Sequence, residues 1–321
     1  MYQPYSSIDN FRPKNLECYL GKEVVFTEKI HGSNLQFYVD IDENNTISIR
    51  HGKRSGFIYP KENFFQSHKL VEKYKDRLEK MIINEKKNNN SIQIRLIGEY
   101  YGGIYRNHSS SNSVKIQKGN FANYRIDNDF IVFDIVIDNR WLTWDQLKIF
   151  CDNHQLTHVP EVCRGIWEDV SKNFNVETFN SIVSRNINGE DNPAEGIVIR
   201  LIDPFTESTD DHRDHRVKWK CTGMMDRVKS NLSNSPNFSL EKYNYILGMM
   251  NQPRFDSYLS KVGPEYIIHK NFGINIKALV DDVVKDYMSE FPNTIKKDIK
   301  PSFGLLSKNA KNYIMTYMRE N

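Results

Sequence analysis

The spacing of apolar residues changes once along this chain, and that single change limits the architectures open to it. Through the first two thirds the period is two. Ile92, Ile94 and Leu96 alternate with Gln93 and Arg95, and Ile197, Ile199 and Leu201 alternate with Val198 and Arg200, as in strands with one buried face. Val24, Val25 and Phe26 enter a further strand, which Leu35 to Val39 continues after a break at Gly32. Phe130 to Ile137 is apolar except for Asp134, the pattern of a strand buried on both faces, where an acid needs a reason. Thr143 and Gln146 form a capping box ahead of Leu147, Ile149 and Phe150, which predicts a helix from Thr143. After Asn237 the period becomes helical: Ile276, Leu279, Val280, Val283, Val284, Tyr287 and Met288 recur at i, i+3, i+4, i+7, and Ala310, Tyr313, Ile314, Tyr317 and Met318 repeat the pattern. Between the two regimes, Lys229 to Asn237 gathers Ser, Asn and Pro without apolar spacing, and Thr206 to His215 reads as a charged loop. The chain of 321 residues therefore divides into a mixed domain over 1–228, a linker over 229–236 and a helical domain over 237–321.

Composition excludes whole classes. With 39% hydrophobic and 26% charged residues the chain is neither disordered nor collagen-like. A formal net charge of +3 is too mild to announce a polyanionic partner, so any nucleic-acid surface must be local. Cys18, Cys151, Cys163 and Cys221 form no C-x-x-C pair, the first residues lack the apolar core of a signal peptide, and no apolar run approaches the roughly 18 residues of a membrane span. These features predict a reduced, cytoplasmic protein without a membrane partner. His212 and His215, with Asp210, Asp211 and Asp214, have spacing that zinc could use, but a polar loop explains them and the metal reading is discounted.

Four elements carry candidate chemistry. Lys29 leads into a turn ending at Gly32, a K-x-x-G element in which an amine can project over a pocket while the backbone bends closely around a ligand. A solvated lysine beside a hairpin turn would look the same. In Arg216 to Cys221, alternation places Lys218 and Lys220 on one face and Val217, Trp219 and Cys221 on the other. Two such cations repel unless an anion lies between them, which reads as a phosphate site; an edge strand protected by lysines gives the same pattern. Glu195 and Gly196 open the strand that contains Arg200, and Glu99 closes the strand from Ile92 ahead of a Gly102-Gly103 loop. Carboxylates at strand ends can hold a metal or a ribose hydroxyl, or simply face water.

In order, the motifs are T-E-K-I-H-G-S-N at Thr27 to Asn34, K-R-S-G at Lys53 to Gly56, G-E-Y at Gly98 to Tyr100, V-F-D at Val132 to Asp134, E-G-I-V-I-R at Glu195 to Arg200, and V-K-W-K at Val217 to Lys220. This series resembles the covalent nucleotidyltransferases, the superfamily of polynucleotide ligases and mRNA capping enzymes. Within it the chain is similar to the RNA ligase 2 family of nick-sealing RNA ligases. His31 stands where DNA ligases and capping enzymes usually carry aspartate. Ser260 to Pro264 and the helix after it resemble that family's carboxy-terminal helical domain. Tyr100-Tyr101-Gly102-Gly103 departs from the Gly-Pro-Gly type of loop expected there, which puts RNA contacts of that loop in doubt.

The resemblance implies an α+β fold: an adenylyltransferase (ATP-grasp-like nucleotidyltransferase) domain of antiparallel sheets flanked by helices, then a small all-helical domain. It also implies an ATP-dependent RNA ligase that acts as a monomer on nicked duplex RNA. On this resemblance Lys29 is expected to be the nucleophile that attacks the α-phosphorus of ATP, with Lys218 and Lys220 beside it expected to favour its neutral amine. Glu28, Ile30 and Asn34 flank the nucleotide, Arg54 contacts phosphates or the RNA end, Glu99 takes the ribose and Phe133 stacks on adenine. Arg200, Lys218 and Lys220 hold phosphate charge, and Glu195 is the candidate ligand for Mg2+ or Mn2+. Asp134 either orients His31 or a catalytic water, or makes a structural hydrogen bond. Lys296, Lys297 and Lys300 form a basic cluster that an RNA backbone or plain solvent could face. The competing readings are a DNA ligase or mRNA guanylyltransferase of the same superfamily, and a non-catalytic RNA-binding relative.

Overall fold

A computed structural model of the chain describes residues 2–11, 18–86, 92–116, 123–202, 216–221 and 240–320. The expected charged loop of 206–215, with its histidines, and the expected linker of 229–236 lie outside these residues. The chain forms two compact units, Met1–Cys221 and Thr222–Asn321.

The first unit is built from two sheets. The strands are β1 (Asp9–Asn10), β2 (Glu23–Glu28), β3 (Ser33–Ile41), β4 (Ile47–Lys53), β5 (Gly56–Phe57), β6 (Ile92–Ile104), β7 (Arg125–Ile137), β8 (Arg140–Trp141), β9 (Glu161–Ile166), β10 (Gly196–Leu201) and β11 (Arg216–Lys220). One sheet has the order β1-β11-β10-β2-β9 and the other β5-β4-β3-β6-β7-β8. Neighbours are antiparallel except β1 beside β11. The helices are α1 (His68–Lys86), α2 (Trp144–Asn153), α3 (Trp167–Asn173) and α4 (Ile182–Asn188). α2 starts behind Thr143 with both halves of the capping box in place, as the T-x-x-Q spacing predicts.

Alternation gives each sheet one apolar and one polar face. In the larger sheet Leu35, Phe37, Ile94, Leu96 and Ile135 share a core with Leu70, Tyr74 and Leu78 of α1. Asn34, Gln36 and Tyr38, the alternate residues of β3, lie on the other face beside Glu99, Ile97 and Arg95. In the smaller sheet Val24, Phe26, Ile197, Ile199 and Val217 pack with Trp167 of α3, which leaves Thr27, Val198, Arg200, Arg216, Lys218 and Lys220 on the opposite face.

A bulge explains the acid in β7. Val132 pairs with Gly98 and Asp134 with Ile97, so Phe133 is the extra residue. Two residues apart, Val132 and Asp134 would share a face in an unbroken strand; the bulge reverses the phase and turns Asp134 to the polar side. There its carboxylate binds Arg200 Nη1 (2.9 Å), Arg216 Nη1 and the Tyr5 hydroxyl (2.6 Å). These bonds tie the two sheets together through their polar faces.

The Gly102-Gly103 loop is corrected: β6 continues through both glycines to Ile104, with its register broken there. Their φ angles are +90° and +91°, and a Cβ would come within 2.2 Å of the Asp127 carbonyl oxygen and 2.0 Å of the Val114 oxygen. Glu99 is therefore in the middle of a strand and not at its end.

The second unit contains α5 (Leu240–Gly248), α6 (Gln252–Val262), α7 (Phe272–Glu290), α8 (Lys296–Ile299) and α9 (Phe303–Glu320). Its own core joins Phe255 and Leu259 to Leu279, Val283 and Tyr287 of α7 and Leu306, Ala310 and Ile314 of α9, the residues that the helical period marks. Among the described residues no helix is long and apolar enough to cross a membrane.

Candidate active site

Lys29 stands where β2 ends and the chain turns into β3. Its N–H still donates to the Gly196 carbonyl at 3.0 Å, so the sheet fixes the backbone while the side chain leaves the ladder. The ammonium lies 2.6 Å from Glu195 Oε2, with the lysine side chain 20% exposed and the glutamate 3% exposed. Lys220 Nζ reaches the other oxygen at 3.0 Å, and His31 Nδ1 is 3.6 Å from Oε2. The anion expected between neighbouring cations is thus supplied by the protein itself. Burial alone would raise the Glu195 carboxyl, but Lys29, then Lys220 and His31, hold it well below the usual carboxylate range. It is a permanent anion that orients two amines.

Glu99 behaves oppositely. Burial pushes its carboxyl up to about 7, with Glu195 adding to the rise and Lys29, Arg54 and the Gly32 N–H opposing it. Gly32 itself is required by close approach: a Cβ there would lie 2.3 Å from the Tyr100 carbonyl oxygen and 2.8 Å from Glu99 Cγ. The glycine of the K-x-x-G element thus lets β6 come close to the turn.

Glu28 does not face this cluster through its carboxylate. The side chain accepts from the Ser181 hydroxyl and the Val183 N–H (3.0 Å) at the start of α4, and burial pushes it up to about 7. Ile30 is buried in the main core. Asn34 lies opposite Glu99; its Oδ1 accepts from Gln36 at 3.4 Å, and its Nδ2 is buried with no hydrogen-bond partner among the described residues. Arg54, in the turn between β4 and β5, likewise has a buried, unpartnered Nε. Arg200 gives one nitrogen to Asp134, while its Nε and Nη2 have no partner among the described residues and its guanidinium lies 5.2 Å from the Trp144 ring centroid. Phe133 is half-buried, with its ring 5.4 Å from that of Tyr5. Lys218 pairs with Val198 on the same face as Lys220. Asp134 takes the structural alternative: its bonds go to Tyr5, Arg200 and Arg216, and the His31 N–H goes instead to the Tyr124 hydroxyl at 2.9 Å.

Arg216 has no role assigned from the sequence, and Tyr5 and Tyr124 are not marked there at all. Arg216 precedes Lys218 by two residues, so strand alternation carries its signal. Nothing local marks Tyr5 or Tyr124, whose roles arise from contacts with residues far along the chain.

The donors suit a nucleotide and a hydrated divalent cation. Asn34, Arg54 and Arg200 carry buried N–H groups without a partner among the described residues, and a guanidinium is the kind of donor that a phosphate takes well. No group of three or more His, Cys, Asp or Glu side chains among the described residues is arranged to hold a metal. A cation at Glu195 would take its other ligands from water and phosphate, the mode that Mg2+ prefers.

Comparison with known proteins agrees with this chemistry. A family model described as RNA ligase matches residues 22–220. The mitochondrial RNA-editing ligase 2 of Trypanosoma brucei brucei is 25% identical over 93% of this chain and 88% of its own length. RNA-editing ligase 1 of the same organism is 23% identical over 92% of this chain and 77% of its own. Among solved structures, an apo lysine-to-alanine variant of a Naegleria gruberi RNA ligase aligns with a TM-score of 0.45 and 17% identity, covering 68% of this chain and 56% of that one. This chain therefore spans just over half the length of that solved protein.

Proposed function

This chain belongs to the RNA ligase family, whose members are ATP-dependent, metal-requiring enzymes that join RNA ends, and from that premise we propose that it seals nicks in duplex RNA. It acts as a monomer, in RNA repair or editing, and in the cytoplasm, where four free cysteines stay reduced. The observation that carries the reading is the Lys29 amine, partly exposed at a sheet-fixed turn and aimed by a buried, permanently ionised Glu195.

In the first step the partly exposed Lys29 ammonium gives its proton to water, and the neutral Nζ attacks the α-phosphorus of ATP; a P–N bond forms and the bond to pyrophosphate breaks. An RNA 5′-phosphate oxygen then displaces Lys29 from AMP, and a 3′-hydroxyl finally attacks that 5′-phosphorus and expels AMP. Each step is phosphoryl transfer, in which positioning and charge neutralisation supply most of the catalysis. Lys218, Lys220, Arg54 and Arg200 neutralise phosphate charge, Asn34 flanks the nucleotide while Glu28, bound to the start of α4, and Ile30, buried in the core, fix the turn beside it, Glu99 accepts from the ribose, and Phe133 offers its half-exposed ring to adenine. Glu195 would hold Mg2+ or Mn2+, which supplies further neutralisation of the phosphates when bound. Residues 1–228 carry this chemistry and residues 237–321 hold the RNA.

Incubation with labelled ATP or GTP, followed by a denaturing gel, tests the reading. We expect covalent label from ATP only, and none in Lys29→Ala, which should still seal a nick carrying a preformed 5′-adenylate because that step does not use the amine. Label from GTP would favour the guanylyltransferase alternative, and retained labelling of Lys29→Ala would remove Lys29 as the nucleophile.

A further inference from the structure

The reactive turn is held on both sides of Lys29 by one short element. On the near side Glu28 accepts from Ser181 and Val183 at the start of α4. On the far side the His31 N–H donates to the hydroxyl of Tyr124, and the Tyr124 carbonyl accepts from Asn188 Nδ2, at the end of α4, at 2.6 Å. Asn188 Nδ2 also reaches the Ser184 carbonyl at 3.0 Å, so its amide links the helix to residue 124. The neighbouring Asn123 carbonyl accepts from Ser184 Oγ and Asn192 Nδ2, which pins the same stretch to the α4 region twice more.

We infer that Tyr124, braced by Asn188 and α4, is a positioning residue that aims Lys29 for attack on ATP; the inference rests on Lys29 being the nucleophile. Tyr124 is 1% exposed, and its ring meets Tyr101 edge-on at 5.4 Å, so the hydroxyl has a fixed place. Burial first, and then the charges of Glu28, Glu195 and Glu99, hold its ionisation well above the ordinary phenol range against the opposing His31 N–H, so it stays a neutral phenol across working pH. Tyr124 itself touches neither the lysine side chain nor Glu195 through any hydrogen bond; it acts through the backbone between Lys29 and Gly32. An amide is rigid, so an error there passes to Lys29, and misplacement by about 1 Å can cost roughly a hundredfold in rate.

The test separates the step that uses the amine from one that does not. Full-length parent protein, Tyr124→Phe, Asn188→Ala and Lys29→Ala are compared for the rate of AMP attachment across ATP concentrations. In parallel they are compared for sealing of a nicked RNA duplex with a preformed 5′-adenylate, without ATP. We expect Tyr124→Phe to lower the saturating rate of AMP attachment by about tenfold to a hundredfold, with half-saturating ATP and sealing of the adenylated nick each within about twofold. Asn188→Ala should do the same more weakly, and it carries the test if Tyr124→Phe does not fold by its melting temperature. An unchanged attachment rate, an equal loss in both reactions, or a change confined to half-saturating ATP would overturn the positioning role. Failure of the parent to attach AMP, or attachment by Lys29→Ala, would instead overturn the role of Lys29.

Discussion

One added carbon at Gly32 tests how closely the Lys29 turn is held. The nearest atom to a Cβ there is a backbone oxygen, at 2.3 Å, which cannot swing aside as a side chain would. Gly32→Ala must therefore shift either the turn or β6, and we expect at least about a tenfold loss of AMP attachment in protein that remains folded. Retention of the parent rate would show that the turn has slack. Glu99 gives a second prediction, with a sign. Its carboxyl is pushed up to about 7 from 4.5, so the folded protein keeps a proton that the unfolded chain has already lost. That contribution to stability is complete below the unfolded value and disappears as pH rises through the folded one. Glu99→Gln should thus gain in melting temperature on the parent as pH is raised from about 5 to about 8, whatever its offset at pH 5. A constant difference would show that Glu99 titrates normally. Glu195 stands on the other side of the balance: its depressed carboxyl contributes stability above the ordinary carboxylate range, lost only on acidification.

At the scale of elements, β11 divides its work between two faces. Lys220 shares Glu195 with Lys29, while Trp219 stacks on Phe11 at 4.7 Å and meets Phe174 edge-on. Lys218→Ala and Lys220→Ala should each weaken AMP attachment strongly, whereas Trp219→Phe should lower the melting temperature and leave the reaction largely intact. Loss of reaction in a folded Trp219→Phe would contradict the two-faced strand. This division was legible in the sequence because alternation is local geometry: successive side chains must point opposite ways. The same rule applied to β7 does not place Asp134, since a bulge is set by pairing with β6 and leaves no mark in the strand's own residues. β4, β9 and α1 are also absent from the sequence reading. In β4, Ile47 and Ile49 are only partly buried, so the apolar signal is thin. In α1, charged residues surround a narrow stripe of Leu70, Tyr74, Leu78 and Met81.

At the scale of the molecule, each unit has its own core, so the proposed division between chemistry in the first and RNA holding in the second can be tested by cutting between them. A fragment ending near Lys229 keeps every residue assigned to ATP, from Lys29 to Lys220, and should label itself with AMP yet fail to seal nicked RNA. The intact ligase should lose sealing before self-labelling as salt rises, because phosphate-backbone contacts are the more heavily screened. Efficient sealing by the fragment would remove the role given to the second unit. The sequence by itself determined the change from strand to helical period, the two faces of β10 and β11, and the order of charged motifs, because each depends on residues within a few positions of one another. Only the tertiary structure decided what those charges meet. Glu195 is set between Lys29 and Lys220, Asp134 is turned toward Arg200 and Arg216, and Tyr124 is brought under the His31 amide. Each contact joins residues far apart in the chain, and the pairing of strands and the burial of two apolar faces bring them together at distances that no local pattern encodes.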